Sequence, residues 1–139
     1  MIGIGIYVQD SPKAIALYQA AFNLTLGYHV LNSDGTYFHS ELHRNGKPFC
    51  SVVEAKERTF ADRHPIELGV SFSSRDDLLR AFTLLSAEGR VEMEIGELPW
   101  SPCAAIVIDH FSVRWFLSLP QHKPPEDWSP ENDVSPWSP

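Results

Sequence analysis

A chain of 139 residues that is 43% apolar, 12% aromatic and 21% charged is one ordinary globular domain, long enough to bury a core of its own. Its net charge of −7, with no basic cluster, argues against nucleic acid and anionic membranes as partners. No apolar run reaches the roughly 20 residues of a membrane span and no basic-then-apolar leader opens the chain. Two cysteines, Cys50 and Cys103, make no disulfide framework, so a cytoplasmic location is expected.

Residues 2–8 read as a short apolar strand. Ser11 then offers a hydroxyl N-cap with Pro12 at the first helical position, where a missing N–H costs nothing. Ala14, Ile15, Leu17, Tyr18, Ala21 and Phe22 recur at helical spacing, and Asn23 can close the helix. Strands follow at residues 25–31, 36–44 and 47–53, with turns at residues 32–35 and at Asn45-Gly46, a strong two-residue hairpin signal. Residues 55–65, charged and without periodicity, read as a linker.

The second half repeats this order. Residues 66–72 alternate as a strand, Ser74 caps a helix with Asp77 three residues on, and Leu78, Leu79, Ala81, Phe82 and Leu85 form its stripe before Gly89. Strands near residues 91–98, 103–108 and 113–119 complete the set. A βαβββ unit thus occurs twice, in residues 1–54 and 66–119, which predicts an α+β domain over residues 1–119. Residues 120–139 hold six of the eleven prolines and read as an extended or disordered acidic tail. Trp128 and Trp137 point to a second reading, in which the tail packs on its own domain or on a partner subunit.

The stretch from Trp100 to Trp115 carries a recognisable pattern: Trp100, small Ser101 and Ala105, then Asp109, Phe111, small Ser112, Val113 and Trp115. It resembles the closing hairpin of the vicinal-oxygen-chelate superfamily, which includes glyoxalase I, ring-cleaving dioxygenases and bleomycin-resistance proteins, and more narrowly its PhnB-like branch. Where that branch usually carries glycine, this chain has Ser101, Ala105 and Ser112. The resemblance implies two modules forming a curved mixed sheet around a cup-shaped pocket, a small-molecule ligand and a homodimer.

Strand alternation sorts the side chains. Around Asn45-Gly46 it sets Phe38, Ser40, Leu42, Phe49, Ser51 and Val53 toward the helix. Tyr37, His39, Glu41, His43, Cys50, Val52 and Glu54 fall on the other face, which the resemblance makes the cup. Glu67, Gly69 and Ser71 share the corresponding face of the next strand, and Arg114 and Phe116 that of the last, leaving Trp115 and Leu117 in the core. Superfamily members that hold a metal take ligands from the first, fourth, fifth and eighth strands. Those positions fall here on Gly3, on Val52 or Glu54, on Glu67 and on Phe116. Glycine and phenylalanine cannot ligate through a side chain, so no cofactor is predicted, and a divalent site would need the unconventional set His39, Glu41 and Glu67.

Without a metal, His39 is the group suited to proton transfer near neutrality, with Glu41 two residues on as its partner. Glu67 or Glu54, walled by Tyr37, Trp100 and Phe116, would act as a base, and Arg114 would hold a carboxylate or phosphate. The same residues also fit a hydrogen-bonded pair in a polar pocket, or a solvent-facing pair on an open sheet. Cys50 reads as a buried inert thiol rather than a nucleophile. The expected function is a PhnB-like protein that binds a small metabolite, either as a lyase, isomerase or dioxygenase-type enzyme or as a sequestering protein.

Overall fold

A computed structural model describes residues 3–55, 66–129 and 131–133. The chain divides into two compact units, Met1–Ala61 and Asp62–Pro139. The linker expected at residues 55–65 lies outside the described residues except for Ala55, which is buried and donates its N–H to Val8 O.

The N-terminal unit runs β1 (Gly5–Val8), α1 (Ser11–Phe22), β2 (Thr25–Leu31), β3 (Tyr37–Arg44) and β4 (Lys47–Glu54). The strands form one sheet in the order β1-β4-β3-β2, with β1 parallel to β4 and the other neighbours antiparallel. Ala14, Ile15, Tyr18, Ala21 and Phe22 of α1 are buried, as are Ile6, Val8, Leu42 and Val52 of the sheet. Each large side chain so removed from water contributes about 1.5–3 kcal/mol.

The start of α1 corrects the sequence reading. Its N-cap is Asp10, in the left-handed region at φ 66°, whose carboxylate accepts from the Lys13 N–H. Ser11 lies in the first turn, fully buried, and its Oγ accepts instead from the Tyr37 N–H at 2.8 Å. Glu54 makes this arrangement work. Its carboxylate accepts from the N–H of Asp10 at 3.0 Å and of Ser11 at 2.8 Å, so a side chain from β4 supplies acceptors at the helix start. Asn23 closes α1 at φ 55° as expected, and Asn45 and Gly46 both take positive φ, the two-residue hairpin turn the sequence announced.

The C-terminal unit runs β5 (Leu68–Ser71), α2 (Arg75–Ser86), β6 (Arg90–Leu98), β7 (Ser101–Ile108) and β8 (Arg114–Ser118). Its sheet has the matching order β5-β8-β7-β6. Ser74 caps α2 by accepting from the Asp77 N–H at 3.1 Å, and Asp76 and Asp77 place negative charge where the helix dipole favours it. A side chain at Gly89 would collide with the carbonyl oxygen of Ile108, which is why the return from α2 passes through glycine.

The turn between β7 and β8 is built on one carboxylate. Asp109, 4% exposed, accepts through Oδ1 from the N–H of Phe111 at 2.8 Å and of Val113 at 3.1 Å, and through Oδ2 from Trp115 Nε1 at 2.8 Å. The spacing Asp-x-Phe-x-Val-x-Trp is therefore the spacing of one acceptor and three donors. After β8 the described part of the tail returns to its own unit: the His122 N–H donates to Trp100 O at 2.8 Å, and the Trp128 ring meets Trp100 edge-on at 5.8 Å. Trp137 lies outside the described residues.

Candidate functional site

Of the three register shifts in the N-terminal sheet, two decide where the expected site residues face. At the Asn45-Gly46 hairpin, His43 pairs with Pro48 but Leu42 pairs with Cys50, so Phe49 is an extra residue in β4. Its ring packs against Phe22 of α1 at 5.3 Å. Beyond the bulge every side chain changes face. Cys50 and Val52 join Leu42 in the core, and Glu54 turns to the start of α1. The expectation that Cys50 and Glu54 share a face with His39 and Glu41 is corrected: a buried thiol and a helix-anchoring carboxylate stand in those places. Burial pushes the Cys50 thiol up to about 12.

The second irregularity lies between β2 and β3. Val30 pairs with His39 and Leu31 with Tyr37, which makes Phe38 the extra residue and moves Tyr37 off the His39 face. The Tyr37 ring lies edge-on to His29 at 5.7 Å. It does not join the candidate site.

What remains on the open face is compact. His39 Nε2 and Glu41 Oε2 are 3.0 Å apart, and the Tyr28 ring stands 6.0 Å from the His39 ring. Glu41 is opposite Ser51 and Ser51 is opposite Gly5, so the polar strip runs across β3, β4 and β1. At the end of that strip a side chain at Gly5 would touch the Tyr7 ring, at 3.9 Å. His39 and Glu41 side chains are 36% and 42% exposed, the solvent-facing arrangement rather than a closed pocket. Sequence reading missed Tyr7, Tyr28 and Ser51. The β2 alternation carried a signal for Tyr28 beside Val30, but nothing in the sequence marks a bulge at Phe49, on which the placing of Ser51 depends.

The C-terminal sheet keeps its expected faces. Leu68 pairs with Trp115 and Gly69 with Phe116, so Trp115 and Leu117 alternate with Arg114 and Phe116. Phe116 is buried with Met93, Leu98, Ala104 and Ile106, with Trp100 packed against them, in a cluster that contains no residue of α2. Glu67 and Arg114 meet at this face: Arg114 Nε donates to Glu67 Oε2 at 2.8 Å, with both side chains about a quarter exposed, 27% and 25%. Of the expected catalytic group, His39 and Glu41 are brought together, while Glu67 is paired with Arg114 in the other unit.

The superfamily's four ligand positions do not supply a donor set for a divalent metal in these residues. Gly3 has no donor, Val52 and Glu54 belong to the helix-covered side of β4, and the open side offers Ser51 and Val53. Glu67 is bound to Arg114, and Phe116 sits in an apolar cluster. Among the described residues no three His, Cys, Asp or Glu side chains gather closely enough to hold an ion.

The family model for the glyoxalase/bleomycin resistance protein/dioxygenase superfamily matches residues 3–117. The chain belongs to that superfamily. No curated protein sequence matches it. Among solved structures it is similar to a PhnB protein from Bacillus cereus, with TM-score 0.72 and 20% identity over 85% of this chain and 98% of that one. It is also similar to protein PA1353 from Pseudomonas aeruginosa, with TM-score 0.70 and 16% identity over 86% and 98% of the two chains. A fosfomycin resistance protein from Listeria monocytogenes, solved with manganese and sulfate, matches with TM-score 0.59 and 15% identity over 86% and 89%. These likenesses show the shared α+β fold of two βαβββ modules. Among the described residues no helix is long and apolar enough to cross a membrane.

Proposed function

We propose that the protein binds a small organic metabolite on the open face of its N-terminal unit, and that His39, oriented by Glu41, moves a proton on it. The reaction class is isomerase or lyase. The 3.0 Å contact between His39 Nε2 and the Glu41 carboxylate carries this reading. With Nε2–H donated to the carboxylate, Nδ1 is the lone-pair base turned to the ligand, and Glu41 stabilises the imidazolium that forms. Tyr28 and Tyr7 supply aromatic walls and Ser51 a hydroxyl. Dioxygenase chemistry would need a metal to polarise its substrate, and the superfamily's ligand positions among the described residues, Gly3, Val52 or Glu54, Glu67 and Phe116, supply few donors for one.

The half exposure of the pair favours a second reading, a non-catalytic protein that sequesters its ligand in the manner of bleomycin-resistance proteins. On either reading the protein is proposed to be a cytoplasmic homodimer. The described tail packs on its own unit through Trp100 and Trp128, so the dimer reading draws on family likeness and not on a tail that reaches across.

Native mass spectrometry of protein purified without chelator or histidine tag gives the subunit count and any retained organic mass in one spectrum. The proposal expects two chains and a ligand that His39→Ala and Glu41→Ala release. Incubating the complex in D2O then separates the readings. Carbon-bound deuterium appearing in the ligand with wild type, and not with His39→Gln, marks proton transfer; retention without exchange marks a binder. A ligand held equally by all three variants would sink the site.

A further inference from the structure

The Glu67–Arg114 pair makes a single-point contact, through Arg114 Nε alone. Among the described residues no side chain or carbonyl accepts from the two terminal amino groups of Arg114. A guanidinium in this state keeps its end-on fork of parallel N–H bonds, the geometry that takes two coplanar oxygens at once. Directly beside it the sheet is bare. Gly69 lies two residues after Glu67 on the same face, is the ladder partner of Phe116, and a Cβ built on it would meet nothing within 4 Å. Arg114 therefore shares its face of the sheet with open space floored by glycine, with the Phe116 strand alongside.

We infer that this corner of the C-terminal sheet is a binding site for a small carboxylate, held end-on by Arg114 over Gly69. The inference stands apart from the His39 reading and does not depend on it. A carboxylate matches the fork with both oxygens in one plane, whereas an amide presents one oxygen and no charge. Glu67 is a positioning residue: by holding Nε it fixes the plane of the guanidinium and turns the fork toward the open floor. Its own charge lies near the same place and opposes an incoming anion, so the site is tuned to weak, reversible binding. That tension gives the proposal a sign that a purely structural ion pair would not share. Replacing Glu67 by Gln keeps an acceptor for Nε–H and removes the repulsion, so carboxylate affinity should rise.

The test is titration of the full chain with benzoate, benzamide and inorganic phosphate, followed by NMR of the arginine side-chain N–H signals and by calorimetry. Benzoate should shift the Arg114 signals and benzamide should not. Arg114→Lys, which replaces a fork by a point charge, should weaken benzoate at least about tenfold. Glu67→Gln should strengthen it several-fold. Gly69→Val puts a branched side chain on the floor, its Cβ in open space, and should abolish binding while leaving the fold and the Glu67–Arg114 contact intact. Phosphate binding more tightly than benzoate with the same variant pattern would overturn the carboxylate assignment. Equal binding of benzamide, unchanged benzoate affinity in Gly69→Val, or no Arg114 shift at all would overturn the site.

Discussion

The two units close with hairpins that solve one problem in different ways. Between β3 and β4 the backbone does the work: Asn45 and Gly46 adopt positive φ and the strands reverse in two residues. Between β7 and β8 a side chain does it, the Asp109 carboxylate holding two backbone N–H groups and the Trp115 indole. A backbone turn fixes where the chain reverses but leaves the register beyond it open to packing. That freedom is what admits Phe49 as an extra residue in β4, whereas the β7–β8 ladder runs in unbroken register from Arg114 opposite Ile108 to Ser118 opposite Ala104. The side-chain turn ties the reversal to a residue three positions beyond it, and the register is fixed with it.

The sharpest way to break this contrast is to remove the carboxylate. Asp109→Ala leaves three donors without their acceptor, two of them backbone N–H groups and one the N–H of a tryptophan that is 1% exposed. A hydrogen bond to a charged group contributes about 1.5–3 kcal/mol and a stranded buried donor costs a similar amount, so the variant should lose about 4 kcal/mol of stability by denaturant titration. Asn45→Ala in the other hairpin should lose about 1 kcal/mol, the cost of a poorer residue at positive φ. Equal losses at the two turns would show that the Asp109 contacts add nothing beyond local geometry. A double-mutant cycle of Asp109→Asn with Trp115→Phe isolates the indole bond, and coupling below about 0.5 kcal/mol would argue against it.

The same contrast explains what the sequence disclosed. Element types, their order and their doubling were legible because helix stripes, the Ser74 cap and Asn45-Gly46 are local signals. The faces of β5 and β8 were legible because no bulge interrupts their pairing, so alternation carried Glu67, Gly69, Arg114 and Phe116 to the side expected of them. On β3 and β4 alternation failed at two single residues. Phe49 is drawn to Phe22 of α1, and Phe38 falls out of register between Val30 and Leu31. Both are tertiary events, and each moves a whole set of candidates: Cys50 and Glu54 in one case, Tyr37 in the other. The Asp10 cap was hidden for a like reason, since the Glu54 that accepts from Asp10 and Ser11 is more than forty residues away in the chain.

Cys50 reports on the Phe49 bulge in solution. On an unbulged strand its thiol would lie on the open face beside Glu41, with an ordinary acidity. Buried against α1 it is pushed up to about 12 from 9.0. The stability this group contributes is then complete below pH 9, where the thiol is protonated in both states. It falls as the pH rises toward 12, because the unfolded chain ionises first. Other groups titrate in the same range, so the quantity to follow is the difference between wild type and Cys50→Ala. That difference should shrink by about 1.4 kcal/mol between pH 8 and pH 10, one unit above the unfolded value. A difference that stays flat would place the thiol in water and remove the bulge.

The smallest effect bears on the two turns themselves. Each carries a non-glycine residue at positive φ, Asn45 at 53° and Ser112 at 68°. Asn tolerates this region because its short side chain can bond its own backbone, while Ser pays the clash of Cβ with the following carbonyl, about 1 kcal/mol. Glycine at position 112 removes that clash but loosens the unfolded chain by a comparable fraction, so Ser112→Gly should gain only about 0.5 kcal/mol. The corresponding change Asn45→Gly should gain nothing. The Ser112 N–H to Asp109 O bond, 3.1 Å, belongs to the backbone and survives the substitution. Ser112→Ala separates the two contributions of the serine, since it keeps Cβ and discards the hydroxyl. If alanine is neutral and glycine raises the melting temperature by about 2 °C, the strain is in the backbone and is borne by the Asp109 contacts. If alanine itself destabilises, the hydroxyl is a fourth polar element of that turn, and the side-chain solution is more elaborate than the three contacts to Asp109.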